Sequence, residues 1–151
     1  MEMPLISVKR NSGPLLHEIV HIYAPNDNRF LAEGLAVYLQ DKLGGNPISF
    51  ILDNDLNDLA RDRVSQISSL QLFNSIRTPT PLGKDLKDVE GRRTAYIIGG
   101  SFVGFLIWKY GLSQFKSVYQ SGNYSKMEGK TLEILESEWR TNLQEKKLKM
   151  N

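Results

Sequence analysis

Two histidines one helical turn apart have the types and spacing needed to bind a metal ion. Residues 17–21 read H-E-I-V-H, which is the pattern H-E-x-x-H. On a helix, side chains four positions apart lie on one face, so both imidazoles can reach the same ion. Glu18, between them, is placed to act as a general base on a metal-activated water. The pattern therefore predicts a zinc site equipped for hydrolysis.

The residue counts restrict the remaining ligand. The chain has two histidines, His17 and His21, and no cysteine, so a third histidine or a thiolate ligand is excluded. A catalytic zinc with three protein ligands then needs a carboxylate, and Glu33 is the best candidate. Glu33 lies among apolar and small residues, where a carboxylate is costly unless it is paired or binds a cation. The rival interpretation makes Glu33 a buried ion-pair partner of Arg29 or of a lysine.

Apolar residues recur at helical intervals along most of the chain, with turn residues between the runs. The pattern predicts helices over residues 14–23, 29–43, 55–75 (in one or two pieces), 94–110, 113–119 and 131–146. A short strand is predicted over 5–9, and a loop over 78–83 that continues through the polar run 84–93. The expected fold is mainly α, with at most a short N-terminal strand.

Composition limits the classes of protein and partner. A chain of 151 residues with 40% apolar content suits one globular domain. Acids and bases are interspersed at a net charge of +2, and the basic tail at 146–149 is expected to be a solvated helix end, so no nucleic-acid partner is expected. The apolar run 96–108 is too short and too rich in glycine for a membrane span. No signal peptide is visible, the cytoplasm is the default location, and the oligomeric state stays open.

Four segments resemble the gluzincin clan of zinc metallopeptidases, and most closely its small thermolysin-like or peptidase MA-like domains. They are H-E-I-V-H (17–21), F-L-A-E-G-L-A-V-Y (30–38), A-Y-I-I-G-G-S-F-V-G-F-L (95–106) and L-E-I-L-E-S-E-W (132–139). The first two are specific in combination, and the other two are supportive. The resemblance extends over about residues 14–145 and is weakest over 46–92.

The resemblance implies a compact zincin-like helical domain over residues 1–151. Its expected parts are a possible edge strand (1–13), a zinc-binding helix pair (14–43), a variable cleft or lid region (46–93) and C-terminal helices (94–147).

The resemblance also implies one catalytic Zn²⁺ held by His17, His21 and Glu33. The expected reaction is hydrolysis of a peptide or protein substrate, with Glu18 as base and proton shuttle. Gluzincins often use a tyrosine or a histidine to stabilise the oxyanion, and both histidines here are already assigned as ligands. Tyr96, at the start of the third resembling segment, is the predicted oxyanion-stabilising group by its position in that segment, and its alternative is an ordinary core residue.

Two departures from the family pattern keep a non-enzymatic alternative open. The position four residues past Glu33, which is often acidic in gluzincins and orients an imidazole, is Val37. About 13 residues precede the motif helix, where zincins usually carry a sheet whose edge strand binds the substrate. The alternative is a catalytically inactive zincin-like metal-binding domain with a binding or regulatory role.

Overall fold

The computed structural model describes residues 15–44, 51, 54–74 and 89–150. These residues form seven α-helices and one short 3-10 helix, with no strand among them. The elements are α1 (Leu15–Tyr23), α2 (Arg29–Leu43), α3 (Leu56–Val64), α4 (Gln71–Asn74), α5 (Val89–Tyr110), α6 (Leu112–Ser121), the 3-10 helix (Tyr124–Lys126) and α7 (Leu132–Met150). The predicted mainly α fold is confirmed. Within the described ranges, no helix combines the length and the apolar character that a membrane crossing requires.

The start of α5 corrects one prediction. The polar run through Arg93 was expected to be a loop, but α5 begins at Val89. Its first turns are polar because they are exposed, and Glu90 accepts a hydrogen bond from Arg63 Nη1 on α3 at 2.5 Å. The predicted strand over 5–9 and the predicted loop over 78–83 lie outside the described residues, as does part of the expected cleft or lid region 46–93.

Helices α2 and α5 cross in backbone contact, and glycines make this crossing possible. A Cβ atom on Gly34 would lie 2.6 Å from the carbonyl oxygen of Gly99, closer than real Cβ contacts allow. A Cβ on Gly100 would lie 2.5 Å from the Cγ1 atom of Val37. The glycines therefore serve the packing of α2 on α5, which holds α2 in a fixed position.

Aromatic residues from three helices extend this contact into a core. Phe102 of α5 lies between Phe30 of α2, with ring centroids 6.1 Å apart, and Trp139 of α7, at 5.8 Å. Trp139 Nε1 donates a hydrogen bond to Ser101 Oγ at 3.0 Å, and Ser101 in turn donates to Asn57 of α3 at 2.8 Å. The indole N–H of Trp139 and the hydroxyl of Ser101 are thus satisfied in the interior, as buried polar groups require.

The turn between α1 and α2 is attached to α6 by two hydrogen bonds. Tyr119 donates its hydroxyl proton to the carbonyl oxygen of Ala24, and Asn26 Nδ2 donates to the carbonyl oxygen of Tyr119, both at 2.5 Å. Asn28 caps α2 by accepting a hydrogen bond from the backbone N–H of Leu31 at 3.2 Å. These contacts set the position of the motif helix α1 relative to α2.

Candidate metal centre

The three predicted ligands converge on one point between α1 and α2. The Nε2 atoms of His17 and His21 lie 3.1 Å apart, and each lies 3.1 Å from Oε2 of Glu33. Of the residues that the structure describes, this is the one group of three or more His, Cys, Asp or Glu side chains close enough to hold a metal ion. The H-E-x-x-H spacing and the choice of Glu33 thus led to side chains that meet.

Hydrogen atoms alone cannot satisfy this triangle of atoms. An imidazole N–H points outward along one direction in the ring plane and serves one acceptor. If both Nε2 atoms donate to Oε2 of Glu33, the contact between the two nitrogens contains no hydrogen; if one ring donates to the other, a lone pair is left facing the carboxylate. A cation at the centre makes all three contacts favourable, because all three atoms then offer a lone pair. The donor set therefore fits a metal ion.

The distances are of the size that nitrogen and oxygen ligands of a metal ion require, and they do not by themselves select one metal. Tetrahedral zinc with nitrogen and oxygen ligands at about 2.0–2.1 Å keeps those ligand atoms about 3.3–3.4 Å apart. The observed separations of 3.1 Å need only a small adjustment. The exposed fraction of the side chain rises from 5% for Glu33 through 11% for His17 to 24% for His21. The site is therefore deep on the Glu33 side and accessible on the His21 side.

The electrostatic surroundings keep Glu33 ionised. Burial raises the pKa of Glu33, but the hydrogen bonds from His17 and His21 and the charges of these rings outweigh burial and lower the pKa to about 2. A carboxylate that is charged at neutral pH is the form that binds a metal ion.

Glu33 also makes the ion pair that the rival interpretation proposed. Its second oxygen, Oε1, lies 2.6 Å from Nη2 of Arg29, four residues earlier on α2. The two interpretations of Glu33 therefore do not exclude each other, because they use different oxygens: Oε2 faces the histidines and Oε1 faces the arginine.

Gln40 supports the site and was missed by the sequence analysis. The backbone N–H of His17 belongs to the first turn of α1, where helices leave N–H groups without a partner. It donates to Oε1 of Gln40 at 3.0 Å, and Gln40 is 1% exposed. Gln40 lies two helical turns past Glu33 on the same face of α2. That spacing, for a polar residue in an otherwise apolar helix, was the available signal.

The two predicted catalytic residues lie on different elements. Glu18 is exposed on α1 between the two ligands, and Tyr96 is half-buried on α5. The ring of Tyr96 lies 6.5 Å from that of His17 between centroids. Burial raises the pKa of Tyr96, as do the negative charges of Glu33 and Glu18, so its phenol keeps its proton at neutral pH. Tyr96 is therefore close to the cluster and able to donate a hydrogen bond.

The orienting partner of His17 is not found among the described residues. Its Nδ1 atom is buried and has no hydrogen-bond partner there. Val37, which stands where gluzincins often carry an acid, is fully buried against Gly100. In metal sites the second imidazole nitrogen usually donates to an acceptor that orients the ring.

A groove with a volume of about 1130 Å³ adjoins the end of α1, but it is separate from the cluster. Its apolar lining includes Leu35, Ile107 and Phe115, and Tyr23 stands at its rim, 83% exposed. Neither the three ligands nor the two predicted catalytic residues line it. The position of a substrate is therefore not inferred from this groove.

Comparison with known proteins adds no relative: no family model, no curated protein and no solved structure matches this chain.

Proposed function

We propose that this protein is a zinc-dependent hydrolase of gluzincin type that cleaves peptide bonds. The observation that carries the proposal is the convergence of His17, His21 and Glu33 on one point, with Glu18 between the two histidines on the same helix. Two imidazoles and one carboxylate form the ligand set of a catalytic zinc with one position left open.

Zinc bound by these three residues would supply an acidified water and polarise the carbonyl group of the substrate. Glu18 accepts the proton that this water loses. Its exposure suits this role, because a base that exchanges protons with water and substrate has to remain accessible. Glu18 then passes the proton to the leaving amine, so that the hydroxyl is added to the carbonyl carbon and the proton to the nitrogen.

Tyr96 stabilises the charge that develops on the carbonyl oxygen. Its raised pKa keeps the phenol protonated, so the hydroxyl can donate a hydrogen bond to that oxygen. Its place beside His17 on α5, a helix held rigidly against α2, suits a group that has to be in position before the reaction starts.

Glu18→Gln tests the chemistry, because it removes the base while keeping the size of the side chain. We expect peptide cleavage to fall by about 10²–10⁴-fold, the usual contribution of a general base, with zinc binding retained. Glu145→Gln is the matched control, since it changes an exposed glutamate on α7, far along the chain from the motif. A digest of a defined peptide mixture, read by mass spectrometry, compares the three proteins.

The proposal fails if the wild-type protein cleaves the mixture no faster than Glu18→Gln. Zinc bound in stoichiometric amount together with that result would instead favour a non-catalytic metal-binding domain.

A further inference from the structure

Arg29 stands where its charge is disfavoured by the helix that carries it. It is the first residue of α2, directly after the cap Asn28, and the first turn contains no acidic residue. The positive end of the helix dipole lies there, so cations are normally destabilising at this position. The order of the pair is also the less favourable one, because an acid that precedes its base by four residues interacts better with the helix dipole. Neither effect explains an arginine at residue 29.

The contact with Glu33 supplies the reason. Nη2 of Arg29 lies 2.6 Å from Oε1 of Glu33, a short charge-assisted hydrogen bond to the carboxylate oxygen that the histidines leave free. The carboxyl group of a glutamate rotates about its last bond, so without a partner on Oε1 either oxygen, or both, can turn toward the ion. With Arg29 in place, Oε2 alone faces His17 and His21.

We propose that Arg29 is a positioning residue that holds Glu33 as a one-oxygen ligand of the metal. The inference rests on the zinc site of the proposed function and extends it to the residue that orients the third ligand. Holding Glu33 to one oxygen also keeps the protein donor atoms at three, the number that a hydrolytic zinc site would use.

The test measures metal binding rather than catalysis. Arg29→Met removes the hydrogen bond and keeps most of the apolar stem, whereas Arg29→Lys keeps a positive donor with a single contact. Zinc affinity is measured by competition with a chelating dye, and Co²⁺ loaded in place of zinc reports the coordination number through its visible absorption spectrum.

We expect Arg29→Met to bind zinc about 10–100-fold more weakly than the wild type, the usual cost of removing a residue that orients a ligand. Its cobalt spectrum should shift toward the weaker bands of a higher coordination number. Arg29→Lys should lie between the two in affinity and retain the wild-type spectrum. This rescue would not be seen if Arg29 merely stabilised the fold.

Arg140→Met is the matched control, because Arg140 pairs with a buried glutamate one helical turn away and far from the histidines in sequence. We expect its zinc affinity to stay within about twofold of the wild type.

The inference is overturned if Arg29→Met keeps the wild-type zinc affinity and cobalt spectrum, or if Arg140→Met lowers the zinc affinity by the same factor as Arg29→Met. If Arg29→Met does not fold, Arg29→Lys decides alone through its zinc affinity: a weaker affinity than the wild type at wild-type helix content supports the inference, and an unchanged affinity overturns it. The zinc uptake of the wild type separates failure of this inference from failure of the proposed function. If the wild type takes up no zinc, both fail. If the wild type binds zinc and Arg29→Met binds it equally well, only the inference about Arg29 fails.

Discussion

Glu33 and Glu136 are the two buried glutamates among the described residues, at 4% and 7% exposure. Each has an arginine one helical turn away, Arg29 for the first and Arg140 for the second. By burial and by ion pair the two regions are alike. In each glutamate the arginine contacts Oε1, and the two regions differ in the groups that face the other oxygen, Oε2.

Every oxygen of Glu136 meets a hydrogen-bond donor. Oε1 accepts from Arg140, with Nε at 2.9 Å and Nη2 at 2.8 Å. Oε2 accepts from the backbone N–H of Leu70 at 3.0 Å and from the hydroxyl of Ser69 at 3.4 Å. Arg140 also donates to the carbonyl oxygens of Val64 and Ile67. This region is a complete network that ties α7 to the segment between α3 and α4, and it needs no ligand.

The cluster at Glu33, in contrast, is not a complete hydrogen-bond network. Its Oε2 faces two imidazole nitrogens that also face each other, and hydrogens cannot satisfy all three contacts. The arginine order differs as well, since Arg140 follows its glutamate, as the helix dipole favours, whereas Arg29 precedes Glu33. The comparison shows that neither a buried carboxylate nor its arginine marks a site. The mark is a set of side-chain nitrogen and oxygen atoms that make more mutual contacts than hydrogens can fill.

Exchanging each glutamate for glutamine should separate the two regions most strongly. Glu33→Gln replaces a charged ligand by a neutral amide, and we expect zinc affinity to fall by more than about 100-fold, beyond the cost of losing an orienting residue. Glu136→Gln should leave zinc affinity within about twofold, because the two sites share no partner. Dye competition on the folded proteins measures both. Equal zinc affinities for the two variants would break the comparison.

Tyr96→Phe tests whether the region around Glu33 also contains the group that stabilises the oxyanion. Removing the hydroxyl should lower kcat by about 100-fold if it stabilises the oxyanion, with zinc content unchanged. Tyr110→Phe is the control, because that hydroxyl donates to Glu138 at the other end of α5 and has no assigned role in the reaction. Steady-state kinetics on a defined peptide gives kcat for each protein. If the Tyr96→Phe enzyme keeps the wild-type kcat, Tyr96 is an ordinary core residue without a catalytic role.

Arg140→Met tests the structural side of the comparison. It leaves the Glu136 carboxylate buried without its charged partner and removes the donors to the carbonyls of Val64 and Ile67. We expect the free energy of unfolding to fall by roughly 2 kcal/mol, the loss typical of hydrogen bonds that involve a charged group. Urea unfolding followed by circular dichroism measures it. A free energy within experimental error of the wild type would mean that this network contributes little to stability.

The smallest expected effect is on the pH dependence of stability, and it involves Glu138. Burial raises its pKa, but hydrogen bonds from Lys130, Tyr110 and Lys109 outweigh burial and lower the pKa from 4.5 to about 2. A group with a lowered pKa in the folded state stabilises the fold above pH 4.5 and loses that contribution as the pH falls toward about 2. Glu138→Gln should therefore be less stable than the wild type at pH 7, with a difference that shrinks in acid. Thermal unfolding across this range tests it, and a difference independent of pH would contradict it.

The sequence predicted the mainly α fold and the meeting of His17, His21 and Glu33, because helical periodicity carries both signals. The H-E-x-x-H spacing depends on one turn of α1, the absence of a third histidine calls for a carboxylate, and the apolar and small residues around Glu33 single it out. Exact helix limits were less accessible, as the start of α5 shows, since exposed helical turns are polar in the way that loops are. The contact of Gln40 with His17 depends on how α1 packs against α2, and no local pattern carries that information.

The central claim is that the Glu33 cluster binds one zinc ion, and titration of the metal-free protein with Zn²⁺ tests it most directly. We predict one zinc per chain for the wild type and no stoichiometric binding for His21→Asn, which removes the more exposed ligand and leaves Arg140 and Glu136 untouched. A wild-type protein that takes up no zinc, or the same uptake by His21→Asn, would contradict the account.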